Sequence, residues 1–100
     1  MNYKIAANYL ESLEPEIQKA IREEYPDYPE KRRYINTKFI ARQIRQNSGS
    51  YPLLGNRSES SIRQFLTSYF NINNYPRYTE RRHGGRAYGI VFINPALAGT

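Results

Sequence analysis

The chain contains no cysteine, a single histidine and no long apolar run. The absence of cysteine excludes a disulfide framework and a thiolate metal site, and it fits a cytoplasmic location. The longest apolar run, Ile90 to Ile93, has the length of a strand and falls far short of the roughly 18–20 residues of a membrane span. The amino-terminal residues also lack the basic and then apolar layout of a signal peptide. We therefore expect a cytoplasmic protein that does not associate with membranes.

Groups of side chains suited to catalysis are also scarce. His83 stands beside Gly84 and Gly85, and the chain offers no second histidine and no cysteine to complete a metal site with it. The two glycines lack the spacing of a phosphate-binding loop. The glutamates of residues 1–30 fit helix surfaces, where carboxylates are normally solvated. The sequence therefore predicts a protein that is not an enzyme and needs neither a metal nor a cofactor.

Positive charge, by contrast, is concentrated in one part of the chain. Residues 31–100 hold twelve basic and two acidic side chains, a net charge of +10, whereas residues 1–30 carry −4, which gives the total of +6. A basic block this one-sided is typical of a protein that binds a polyanion, most often nucleic acid. A chain of 100 residues forms one domain. We divide it into acidic N-terminal helices (1–30), a basic region (31–94) and a tail (95–100).

Apolar residues at helical spacing predict the elements of the first third of the chain. The pattern fits two helices, over 3–13 and 15–25, or one kinked helix across both. A proline pair ends this region, because the residue before a proline is pushed out of the helical conformation. A short strand over 34–35 is expected to follow.

A further helix begins near Asn36 or Thr37, either of which suits its N-cap. The serine and glycine that open the segment 48–56 end this helix, and the segment itself has the composition of a loop. Leu53 and Leu54 within the loop are expected to pack against the core.

The clearest helix begins at Ser58, a residue type that caps helices well, and extends to Phe70. Its apolar residues recur at i, i+3, i+4, i+7 and i+8 and form one stripe, which is expected to face the core. The opposite side is short, polar and free of acids apart from Glu59. The stripe consists of Ile62, Phe65, Leu66, Tyr69 and Phe70, and the opposite side consists of Ser60, Gln64 and Thr67, with Arg63 at its edge.

The last part of the chain has the pattern of a β-hairpin. Two strand-like runs, 75–82 and 86–93, flank the tripeptide His83-Gly84-Gly85. Glycine accepts the positive φ that tight hairpin turns require, so the tripeptide marks the turn. Three arginines would then converge on a small tip with few acids nearby, and these are Arg81, Arg82 and Arg86.

The order helix, short strand, helix, loop, amphipathic helix and basic hairpin resembles that of a winged helix-turn-helix domain over residues 15–94. The resemblance implies an α+β fold with three to four helices and a C-terminal β-hairpin, the wing. One departure is the segment from Ser48 to Arg57, which is longer than the usual helix-turn-helix turn of about 3–4 residues.

The resemblance further implies that the helix over 58–70 enters the DNA major groove and that the wing contacts the backbone or the minor groove. Arg63 has the geometry for a bidentate pair with guanine, and Gln64 has it for adenine. Ser60 and Thr67 suit a phosphate or a base edge, and the remaining basic residues suit phosphates. The candidate nucleic-acid-binding residues are Lys38, Arg42, Arg57, Ser60, Arg63, Gln64, Thr67, Arg81, Arg82 and Arg86.

We interpret the sequence as that of a double-stranded DNA-binding protein that regulates transcription. One short helix and one wing read few base pairs, so we expect a homodimer, paired through the acidic N-terminal helices that DNA would repel. Two alternatives stay open. The chain could be a phage or mobile-element module of this fold that binds and inhibits a protein partner. It could also be an RNA-binding domain, given the tyrosine and arginine content near the hairpin.

Overall fold

Helices dominate the first three quarters of the chain, and short strands link its middle to its end. The computed structural model describes residues 6–78 and 89–98. Within these ranges the protein is a small α+β domain with three α-helices and a two-stranded antiparallel sheet, as the sequence predicts at this level. The elements are α1 (Ala7–Glu24), β1 (Tyr34–Asn36), α2 (Thr37–Gln46), a 3₁₀ turn (Ser48–Ser50), α3 (Glu59–Ile72), β2 (Val91–Ile93) and a second 3₁₀ turn (Pro95–Leu97).

The N-terminal region is one helix rather than two, although Pro15 lies inside it. A proline in a helix interior removes a hydrogen bond and costs about 3 kcal/mol or more. The buried residues nevertheless keep helical spacing across the proline, so both halves of α1 pack on the same core. These residues are Leu10, Leu13, Ile17, Ala20 and Ile21.

Both predicted helix caps are confirmed. The Asn36 side-chain oxygen accepts a hydrogen bond from the Lys38 amide at 2.8 Å at the start of α2. The Ser58 hydroxyl oxygen accepts one from the Ser61 amide at 3.1 Å at the start of α3. Each cap satisfies an amide group that has no partner within the first turn of its helix, and each therefore fixes where its helix begins.

The long connection between α2 and α3 is a packed loop. The Glu16 carboxylate on α1 accepts hydrogen bonds from the amides of Leu53 and Leu54 at 2.8 and 3.0 Å. Tyr51 is fully buried and its hydroxyl donates to Glu23, also on α1. Leu54 is buried as predicted, but the prediction for Leu53 is wrong, because its side chain is 47% exposed. The two amides converge on Glu16, and only the Leu54 side chain turns into the core.

Helix α3 places its apolar stripe in the core. Ile62, Leu66, Tyr69 and Phe70 are buried, as predicted, whereas Phe65 is partly buried at the edge of the stripe. The helix continues two residues beyond the predicted end. Pairs of residues three or four apart share one face of a helix, which explains why the stripe is continuous.

The strands join segments that are distant in sequence. In the sheet, Tyr34 pairs with Ile93, Ile35 with Phe92 and Asn36 with Val91. On its other side, β2 meets the segment before residue 79, because Arg77 bridges to Phe92 and the Tyr78 amide donates to the Val91 carbonyl at 2.9 Å. The bases of the two arms of the predicted hairpin are therefore antiparallel neighbours. The predicted turn and its three arginines lie outside the described residues.

A cluster of buried tyrosines closes the core between α1, α3 and the hairpin base. The Gln18 amide donates to the Tyr69 hydroxyl at 3.0 Å, and the hydroxyls of Tyr28 and Tyr75 share a hydrogen bond of 3.0 Å. Burial raises the pKa of Tyr69 to about 12. Burial, followed by the bond to Tyr75, also raises the pKa of Tyr28 well above its usual value.

The raised pKa values of these two tyrosines predict that the protein loses stability in alkaline solution. Their folded-state pKa lies above the unfolded value of about 10, so their contribution is complete below about pH 10 and is lost as the pH rises toward 12. We expect the thermal midpoint to fall across this interval, together with a rise in tyrosinate absorbance. Tyr69→Phe should show a shallower fall, because it cannot ionise. An unchanged midpoint up to pH 12 would show that these phenols are not protected by the fold.

Candidate nucleic-acid interface

An open groove separates the outer face of α3 from the chain that enters β2. Its volume is about 700 Å³. One wall comes from α3 and the other from the start of α2 and the residue before β2. The residues that line it are Thr37, Ser60, Arg63, Gln64, Thr67, Ser68 and Ile90.

The structure brings together all four α3 residues predicted to contact bases. Ser60, Arg63, Gln64 and Thr67 line the same groove because their spacing of three or four residues places them on one side of the helix. Ser68 lies beside them. Sequence reasoning alone missed Thr37 and Ile90, which complete the groove. Their local structure is visible in the sequence, but their position opposite α3 depends on the pairing of β1 with β2.

Two hydrogen bonds between Thr37 and Ile90 fix the far wall of the groove. The Thr37 amide donates to the Ile90 carbonyl at 3.0 Å, and the Ile90 amide donates to the Thr37 hydroxyl oxygen at 3.1 Å. This exchange continues the β1–β2 ladder by one residue pair into the start of α2. The chain that enters β2 is therefore attached to the start of α2 at the edge of the groove.

Gly89 allows the second arm to pass closely over the start of α2. Its φ of +84° lies in the left-handed region. A β-carbon there would overlap the Asn36 side-chain oxygen and lie 2.7 Å from the Lys38 β-carbon. Only glycine meets both requirements without rearrangement.

Gly89→Ala should therefore destabilise the protein. The left-handed backbone alone costs an L-residue about 1–2 kcal/mol, and the overlap with Asn36 adds to this. Urea unfolding measures the loss. Gly49→Ala is the matched control, because a β-carbon at Gly49 meets nothing within 4 Å, and we expect it to leave stability unchanged or slightly higher. Equal stability of the two variants would contradict the close approach at Gly89.

The predicted phosphate-contacting residues of α2 border this region. Lys38 lies beside Gly89 in the first turn of the helix. Arg42, one turn further on, lies 3.9 Å from the Glu59 carboxylate, and both side chains are about half exposed. Exposed pairs of this kind contribute at most about 1 kcal/mol, so Arg42 can exchange this partner for a phosphate at little cost.

Arg57 does not line the groove. Its guanidinium donates to the Tyr9 hydroxyl at 2.7 Å and lies 4.9 Å above the Phe65 ring. Its carbonyl accepts a hydrogen bond from Arg45 at 3.0 Å. Arg57 thus connects the start of α3 to α1 and α2. The sequence could not show this, because Tyr9 lies far away along the chain.

Comparison with known proteins finds no relative. No protein-family model, no curated protein and no solved structure matches the chain. The functional assignment therefore depends on the groove and on the distribution of charge.

A second, smaller groove of about 390 Å³ lies where α1 ends beside β1 and α2. Tyr34 and Phe39 at its edge are each 41% exposed. Burial raises the pKa of the Glu24 carboxyl at the same site. Arg32 lies over the Tyr25 ring at 4.6 Å and pairs with Asp27 at 3.0 Å. The lining residues are Glu24, Tyr25, Arg32, Tyr34, Ile35, Asn36, Phe39 and Val91.

Among residues 6–78 and 89–98, no three side chains of the metal-binding types come together. In the same ranges, none of the helices is both apolar enough and long enough to cross a membrane.

Proposed function

We propose that this protein is a winged-helix protein that binds double-stranded DNA and regulates transcription, with α3 in the major groove. The observation that carries the proposal is that one groove is lined by all four predicted base-contacting residues, Ser60, Arg63, Gln64 and Thr67. Among the described residues that line it there is one cation, Arg63, and no acidic side chain. The neighbouring Lys38 and Arg42 extend this positive surface along α2.

The shape of α3 supports its role as a recognition helix. Its 14 residues span about 21 Å at 1.5 Å per residue, and the major groove is about 12 Å wide. Ser60, Thr67 and Ser68 are short, so the helix backbone can approach the base edges closely. Arg63 and Gln64 then extend furthest and carry the planar groups that pair with guanine and adenine.

The order of the elements supports the winged-helix arrangement. A helix, a short strand and two further helices precede the segment before residue 79 and β2, which are antiparallel neighbours, and β1 pairs with β2 in the sheet. Arg81, Arg82 and Arg86 flank the predicted turn of the hairpin in the sequence. In our proposal they contact phosphates without reading sequence.

In our proposal the protein forms a homodimer that pairs through α1, and it has no catalytic activity. The apolar residues of α1 are already buried in the core, and Glu16 and Glu23 hold the α2–α3 loop. The outer acidic side chains Glu11 and Glu14 are exposed and would face the partner subunit.

Substitutions on α3 test the proposal directly. The measurement is a titration of the full chain on a duplex selected from a random library and on a scrambled duplex. Arg63→Ala and Gln64→Ala should each cost about 1–3 kcal/mol on the selected duplex, since each removes a bidentate base contact. The loss on the scrambled duplex should be clearly smaller.

Two exposed residues outside the groove provide matched controls. Arg22→Ala on α1 and Gln46→Ala on α2 remove the same side-chain types and should leave the preference for the selected duplex intact. Equal losses on both duplexes for the α3 variants would mean that α3 contacts the DNA backbone but does not read bases. Absence of salt-dependent binding to any duplex would refute the proposed function.

A protein partner is the second candidate, and the smaller groove favours it. Two half-exposed aromatic side chains beside a partly buried carboxylate resemble the edge of a protein-binding patch more than a phosphate-binding surface. Phe39→Ala should impair such a function while leaving duplex binding unchanged. Binding to single-stranded or hairpin RNA in preference to the DNA duplex would instead support the RNA-binding alternative.

A further inference from the structure

The hydroxyl of Thr67 is already engaged within α3. Its oxygen donates to the Arg63 carbonyl, one turn earlier, at 2.8 Å. A hydroxyl has a single proton, so Thr67 has none left to donate to a phosphate or a base. Thr67 lines the groove, and its methyl group is the part of the side chain that takes no part in this hydrogen bond.

The opposite wall of the groove also includes an apolar side chain. Ile90 lines the groove and is held there by its two hydrogen bonds to Thr37. The hydroxyl oxygen of Thr37 accepts one of these bonds. The groove therefore combines polar side chains, among them Arg63 and Gln64, with two apolar groups, the methyl group of Thr67 and the side chain of Ile90.

The major-groove edge of DNA contains one apolar feature, the C5-methyl group of thymine. We infer that Thr67 is a specificity-determining residue that reads a thymine by contact between the two methyl groups. This inference rests on the proposed function, because it requires α3 to lie in the major groove. It assigns Thr67 a role different from phosphate or base-edge hydrogen bonding.

The expected effect is modest but selective. Loss of one buried methyl-sized contact is worth about 0.8 kcal/mol, which corresponds to an affinity about fourfold weaker. Uracil differs from thymine only by lacking this methyl group and keeps the O4 acceptor. Replacement of the contacted thymine by uracil should therefore weaken binding about fourfold, whereas replacement of other thymines should not.

The experiment uses the full chain and the duplex selected from a random library, with each thymine replaced in turn by uracil. Thr67→Ser keeps the hydroxyl and removes the methyl group, whereas Thr67→Val keeps a methyl group and removes the hydroxyl. We expect Thr67→Ser to bind the thymine duplex about fourfold more weakly and to lose the difference between thymine and uracil. Thr67→Val should retain this difference. Circular dichroism verifies that both variants fold.

The outcomes separate this inference from the proposed function. If no uracil replacement weakens binding, or if Thr67→Ser still distinguishes thymine from uracil, the inference is wrong and duplex binding stands. Binding without any sequence preference would also overturn the inference, because no thymine would then be favoured. Failure of the parent protein to bind any duplex would refute the proposed function itself.

Discussion

Leu66→Ala is expected to lower the free energy of unfolding by about 2–5 kcal/mol. Leu66 is fully buried at the centre of the α3 stripe, where its side chain packs in the core shared by α1, α2 and α3. Its truncation removes apolar contacts and leaves a cavity that the surrounding side chains fill only in part. Since small domains have about 5–15 kcal/mol of stability in total, this is a large fraction. Urea unfolding followed by circular dichroism measures it.

The loop between α2 and α3 provides the control for this substitution. Leu53→Ala makes the same chemical change at a side chain that is 47% exposed, and it should change stability by no more than about 0.5 kcal/mol. Similar losses for the two variants would contradict the burial of the α3 stripe. They would also contradict the use of helical periodicity to decide which side of α3 faces the core and which side lines the groove.

Replacement of Arg81, Arg82 and Arg86 by alanine should produce the largest change in DNA binding. Each phosphate contact contributes about 0.9 to the slope of log affinity against log salt, so the slope should fall by nearly three. Between 50 and 200 mM salt, the parent protein should then lose roughly 40-fold more affinity than the triple variant. The loss should be similar on selected and scrambled duplexes, since phosphate contacts do not read sequence.

A second triple variant separates local contacts from total charge. Lys19→Gln, Arg22→Gln and Lys31→Gln remove the same net charge from α1 and the segment after it. The salt dependence of this variant should change much less, because screening limits the reach of charges to about 10 Å at 0.1 M salt. If the two triple variants behave alike, Arg81, Arg82 and Arg86 act only through net charge and make no specific contact.

The features that the sequence predicts well are local ones. The α3 stripe and the caps at Asn36 and Ser58 depend on residues within two helical turns, so periodicity and residue type are sufficient. The side of α3 that lines the groove follows from the same periodicity. The pattern is also compatible with one helix in place of two, since the apolar spacing continues across Pro15.

The features that depend on distant parts of the chain could not be predicted in this way. Arg57 precedes α3 and has the chemistry of a phosphate contact, but only the fold brings its guanidinium to the hydroxyl of a tyrosine 48 residues away along the chain. Thr37 and Ile90, which are 53 residues apart, form the far wall of the groove only because two short strands pair. No periodicity within either segment records such a pairing.

In the proposed complex with DNA, the carboxylate of Glu16 gives α1 an indirect part in binding that its acidic surface does not suggest. By holding the amides of Leu53 and Leu54, it fixes where the chain leaves α2 and enters α3. The loop that leads into α3 is thus held by a different helix. Under the proposed function, we expect substitution of Glu16 to alter DNA binding while every described side chain that lines the groove stays the same.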